Sequence, residues 1–255
     1  MKSKTFTIAW NEWKIFFHTP FAMLIIPLFI ALCSIYFYAK LDSFLSLLNP
    51  SDAATTVKGL NINSFLLLPF FKDMLNVFIF IIPLITMRTF AEEKKMGNFE
   101  LLISYPVRPE KILFGKYLGV LTIILLLLLL SFIYPLITII FGDPYLPLIL
   151  STYLGFFLFI LMYSALGVYA SLLTENQIIA AIITYGAFFG TFLLRWLAYV
   201  SFSPLDKFFQ NYLFVVHINN LMNGFMFTGD IAMYLCTTGI ILTLAYWRIR
   251  RHYVR

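Results

Sequence analysis

Residues 88–116 read RTFAEEKKMGNFELLISYPVRPEKILFGK. Six of these residues are Lys or Arg and four are Glu. The stretch lies between FIFIIPLIT (78–86) and YLGVLTIILLLLLL (117–130), both close to pure hydrocarbon. A dense polar segment between two apolar runs is a connector at a membrane surface, because Lys and Arg near the ends of spans set orientation. Its internal punctuation predicts structure. Arg88 to Lys95 suits a polar helical turn, Gly97 a break, and Phe99 to Ser104 a second turn that Pro106 stops. Pro109 and Glu110 suit the first turn of a new helix, where proline's missing N–H costs nothing and a carboxylate meets the positive end of the dipole. The expectation is a short helical elbow, of a kind that a soluble partner could grip.

Outward from the elbow, the chain is a membrane protein by composition. Of its 255 residues, 61% are hydrophobic and 12% charged, against about 25% charged in soluble domains. A span needs about 20 apolar residues. Six stretches qualify, at about 21–39, 65–87, 117–140, 148–172, 178–200 and 231–247. Residues 6–20 precede them as an interfacial helix, with Phe6, Trp10, Trp13 and Phe17 at helical spacing and Pro20 turning the chain into the bilayer. The segment 201–230 is too interrupted for a span and too apolar for a free loop, so it is expected as apolar helices on the outer leaflet. The fold class is therefore all-α and integral to the membrane, in a single domain over 1–255.

With the N-terminus inside, thirteen basic residues fall on the inner side and three (Lys40, Lys58 and Lys207) on the outer. This predicts both termini and the elbow in the cytoplasm. The net charge of +6 follows the membrane sides and forms no compact basic face, which argues against nucleic acid. Cys33 and Cys236 lie in separate spans with no metal-ligand spacing, so packing is their expected role. His217 stands alone in the outer segment and reads as an interfacial hydrogen-bonding residue.

Catalytic motifs are missing from the sequence. Gly115-Lys116 looks like the tail of a phosphate loop, but Glu110 stands where the first glycine belongs and no Ser or Thr follows the lysine. No zinc motif or nucleophile elbow is present. No cofactor is expected, and energy for any uphill movement must come from elsewhere. Lys72 and Asp73 are the ionisable pair within a span and are candidates for lining a pathway. Gly186 and Gly190 form a GxxxG pair that suits close helix packing, within the bundle or between copies.

Three stretches carry a resemblance to a known family: AWNEWKIFFHTPFAMLI (9–25), PLITMRTFAEEKKMGNFELLISYPVRPEKILFGKYLG (83–119) and YLGFFLFILMYSALGVYASLLTENQIIAA (153–181). The chain resembles the membrane subunits of ABC-2-type transporters, in the branch of the gliding-motility and nitrous-oxide-reductase-maturation permeases. The resemblance implies a multi-pass permease of the cytoplasmic membrane, an exporter, working with a second permease copy. A separate cytoplasmic ATPase would bind the ATP. It further implies that Arg88, Glu92, Glu93, Gly97 and Glu100 couple the elbow to that ATPase. Glu92 and Glu93 are both expected on its solvated surface, so that reversing their charges costs the fold little. An integral membrane enzyme acting on lipid-like substrates and an ion-coupled carrier are the alternatives.

Overall fold

The computed structural model of the chain describes residues 4–48, 61–99, 107–201 and 214–253. Among them there are helices, turns and short connections, and no strand. In chain order the helices are α1 (Lys4–His18), α2 (Pro20–Leu48), α3 (Leu68–Thr86), α4 (Arg88–Lys95) and α5 (Pro109–Ser131). They continue with α6 (Ile133–Phe141), α7 (Leu146–Leu173), α8 (Gln177–Ser201), α9 (Phe214–Met222) and α10 (Thr228–Tyr253). A π-helical turn, Asn63–Leu67, leads into α3. Six helical stretches are long and apolar enough to cross a membrane. They correspond to the six expected spans, though several run past the apolar stretch because a helix does not stop where hydrocarbon stops.

Proline explains where the helices break. Pro135 has no N–H to offer the carbonyl of Ser131, and the third span divides there into α5 and α6, with Phe132 at the joint. Pro83 likewise leaves the Ile79 carbonyl without its helical partner, and the buried Tyr163 hydroxyl from α7 donates to it at 3.3 Å. Other phenols make similar staples between helices. Tyr117 donates to the Leu161 carbonyl at 2.9 Å, Tyr134 to Ile30 at 3.0 Å and Tyr234 to Phe214 at 2.9 Å. In a bilayer such bonds have no water to compete with, although each contributes only about 0.6–2 kcal/mol.

The bundle is built around α7. Within its apolar window 72% of the residues are buried, against 28% in α2 and 22% in both α8 and α10. Helices α3, α4, α5, α8, α9 and α10 all pack on it. Small residues set the closest approaches. A Cβ added to Gly167 of α7 would stand 2.0 Å from Thr86 Oγ1, and one at Gly155 would stand 3.0 Å from Leu221 Cβ. Gly186 and Gly190, expected to mark close packing, have nothing within 4 Å of their Cβ positions. Their face of α8 is not a packing face within the described chain. A GxxxG spacing by itself does not say which side of a helix is covered.

The segment 201–230 contains α9, which lies against α7 and α10. His217 is not a lone residue: its Nδ1 is 2.6 Å from Oδ1 of the buried Asp230. Residues 202–213 and the side chain of Arg195 lie outside the described residues. Both cysteines are free, Cys33 buried and Cys236 exposed.

Candidate functional site

The elbow begins where α3 ends. Met87 is a single turn residue, after which Arg88–Lys95 resumes as α4. The backbone N–H of Met96 bonds the Glu92 carbonyl at 3.0 Å and that of Gly97 bonds Lys94 at 3.1 Å. Gly97 then turns the chain with φ +72°. This is the left-handed end of a helix that glycine accepts without strain. Its Cβ position is open, so the requirement there is backbone conformation rather than space. Asn98 and Phe99 start a second helical turn; Glu100 lies outside the described residues. Helix α5 opens with Pro109 in its first turn and Glu110 behind it.

The chemistry of the elbow centres on Lys116, a residue of α5 that the sequence presents as one more basic group. Its side chain is 3% exposed. The ammonium has three hydrogens and uses all three: Glu12 Oε1 at 2.5 Å, Glu93 Oε1 at 2.7 Å and the Thr89 carbonyl at 3.0 Å. It also stands 5.2 Å from the centre of the Phe90 ring. Three elements meet on one charge: α1 through Glu12, α4 through Glu93 and Thr89, and α5 itself.

Two glycines make that meeting close. An added Cβ at Gly115 would be 2.8 Å from Ile8 Cβ, and one at Gly119 would be 2.7 Å from Glu12 Cβ and 3.1 Å from the Ala9 carbonyl. Gly115 and Gly119 are four apart on either side of Lys116, so they lie on one face of α5 and admit the backbone of α1. This small-residue pair packs α1 on α5. Its signal in the sequence is the spacing Gly115-x-x-x-Gly119, which begins on the same Gly115-Lys116 that ends a phosphate-loop-like stretch.

A second tie runs from Lys94 to the opposite side. Its Nζ donates to the Leu172 carbonyl at 2.5 Å, in the last turn of α7, and lies 5.2 Å from the Phe99 ring. The last carbonyls of a helix have no partner of their own, and a cation there also meets the negative end of the dipole. Arg88 makes a third tie, with its guanidinium carbon 4.3 Å from the Phe21 ring of α2.

The residues expected to act together therefore divide. Arg88 and Glu92 face each other at 3.8 Å, and each side chain is about one-third exposed, at 32% and 34%. Glu93 turns inward to Lys116. The expectation that Glu92 and Glu93 both sit on the solvated surface is corrected at Glu93: successive helical residues point about 100° apart, and Glu93, 28% exposed, commits one oxygen to the buried Lys116. A lysine at position 93 would stand beside a buried lysine. The other sequence candidates lie elsewhere. Asp73 is drawn to Lys40 of α2 at 3.0 Å, whereas Lys72 is exposed. Among the described residues no group of three His, Cys, Asp or Glu could hold a metal ion.

A comparison with curated proteins finds no match. The family model described as ABC-2 family transporter protein matches residues 60–248, which take in the elbow and the second to sixth spans. The chain belongs to the ABC-2 transporter family and is a membrane permease component of an ABC transporter.

Proposed function

We propose that the chain is the permease subunit of an exporter of the cytoplasmic membrane, paired with a second permease copy and driven by a separate cytoplasmic ATPase that seats on the elbow. The stretch 83–119 supports the gliding-motility and nitrous-oxide-reductase-maturation branch of the family. The observation that carries the coupling reading is the cluster on Lys116. A load placed on α4 reaches α5 and α1 through the ion triad on the buried Lys116 and reaches α7 through Lys94, so movement of the elbow is tied to the bundle. Glu92, Arg88 and the exposed Lys95 then form the face offered to the ATPase, and Gly97 sets its angle.

The pathway would run beside α3. Lys72, Asn76 and Phe80 are exposed at four-residue intervals along one stripe of that helix. A cavity of about 200 Å³ between α3, α7, α8 and α9 is walled by Phe80, Phe159, Phe188, Phe189 and Phe192, with Asn76 adding an amide. Polar groups on the lateral face of a span suit a water-filled path or a second copy better than hydrocarbon, and the aromatic wall suits amphipathic cargo.

The test is co-purification with the ATP-binding-cassette protein expressed beside it. The chain alone should hydrolyse no ATP. Glu92→Lys should lower ATPase retention by about tenfold, equivalent to roughly 1.4 kcal/mol, with an unchanged size-exclusion profile. Normal retention and normal ATP turnover by that variant would remove the elbow from the docking surface.

A further inference from the structure

A cavity of about 240 Å³ lies between α1, the α3–α4 junction and α5. Its character changes along its length. At the end toward the bundle it is walled by Phe16, Ile85, Val120 and Ile123. At the elbow end it is walled by Arg88, Glu92 and Glu93. Lys116, Val120 and Ile123 recur at helical spacing on one face of α5, so this wall descends about 10 Å from charge to hydrocarbon. That gradient runs in the same sense as a phospholipid of the leaflet on the elbow side.

Two polar atoms at the charged end are shielded from water and have no hydrogen-bond partner among the described residues, Arg88 Nε and Glu93 Oε2. Glu92 stands 3.8 Å from Arg88 Nε, which is an ion pair but too long for a hydrogen bond. Glu93 commits its other oxygen to Lys116. A donor and an acceptor are thus left unsatisfied at the polar end of one amphipathic cavity, a costly arrangement for buried groups.

The geometry points to a binding site for one aminophospholipid, a headgroup with both a phosphate and a primary ammonium. The phosphate accepts from Arg88, the ammonium donates to Glu93, and an acyl chain lies along Val120 and Ile123. The charge of the wall separates this occupant from others. Glu12, Glu92 and Glu93 outnumber Arg88 and Lys116, which disfavours a net anionic lipid. A quaternary ammonium has no hydrogen to give Glu93. Free phosphate would leave the apolar end unfilled. The site shares Arg88 and Glu92 with the face proposed for the ATPase, but lipid retention by the purified chain is read without the ATPase, so either reading can fail alone.

The experiment equilibrates the purified chain with equimolar phosphatidylethanolamine, phosphatidylcholine and phosphatidylglycerol in mixed micelles and counts retained lipid by native mass spectrometry. One phosphatidylethanolamine per chain should be retained over either competitor by about fivefold, close to 1 kcal/mol. Arg88→Gln should remove that preference, and Val120→Phe, which narrows the apolar end without touching the ion pairs, should lower retention of the lipid itself. Equal retention of the three lipids by the wild type, a preference for phosphatidylglycerol, or unchanged binding in both variants would overturn the proposal. The wild-type competition decides the question even where a variant fails to fold.

Discussion

At the scale of single residues, Lys116 dominates. Its burial is tolerated because two carboxylates and a carbonyl replace the water it loses, and removing one partner of such a group is worse than removing all of them. Lys116→Met should therefore destabilise the chain by about 3–5 kcal/mol, because Glu12 and Glu93 are left facing each other without the cation. The triple variant Glu12→Gln, Lys116→Met, Glu93→Gln should recover much of that loss. Thermal unfolding in detergent measures both, and equal stability of the single and triple variants would deny the triad its buried character. None of this was legible in the sequence. Lys116 is the last of six basic residues in the stretch, and its neighbours Gly115 and Gly119 do not by themselves say that it is buried. Its burial depends on α1, which lies about a hundred residues away along the chain. Gly97 is the opposite case: a glycine after a polar turn and before a second helical start is a local signal, and φ +72° is its local outcome.

At the scale of elements, α4 is fastened at three points: to α5 and α1 through Glu93, to α7 through Lys94 and to α2 through Arg88 and Phe21. The contact of α1 with α5 depends on two missing side chains. Gly119→Leu should push α1 away, because even its Cβ would stand 2.7 Å from that of Glu12. Hydrogen exchange should then rise throughout Lys4–His18 while α7 keeps its protection. Unaltered exchange in α1 would mean that the helix is held by its aromatic face in the membrane and not by α5. The elements themselves were largely readable. Length and apolarity announce spans, and Gly97 and Pro109 mark the ends of the helices on either side of the elbow, whereas the second turn expected over Phe99–Ser104 with its stop at Pro106 lies, beyond Phe99, outside the described residues. What the sequence hid is which face of each helix is covered. Gly186 and Gly190 advertised contact and have none nearby, whereas Gly115 and Gly119 flank a lysine and carry the closest contact at the elbow.

At the scale of the whole molecule, the basic residues concentrate in the N-terminal segment, the elbow and the C-terminal tail and predict which side of the membrane these face. With Cys33 and Cys236 replaced by alanine, a cysteine at Asp143, in the exposed joint between α6 and α7, should react with an impermeant maleimide in intact cells. One at Lys95 should react only after lysis. The reverse pattern would invert the topology. The ion triad also has a consequence for biogenesis. Glu12 and Lys116 are separated by 104 positions, and a chain synthesised from its N-terminus makes the carboxylate long before its cation. Helix α1 must therefore wait on the membrane surface with Glu12 solvated while two spans insert. Only when the third arrives do Gly115 and Gly119 give α1 a seat, and the platform around Lys116 closes. A chain begun at Pro20 would deliver Lys116 with Glu93 as its single carboxylate, so seating of the N-terminal helix reports that the third of six spans is in place, and quality-control proteolysis should recognise chains that lack it.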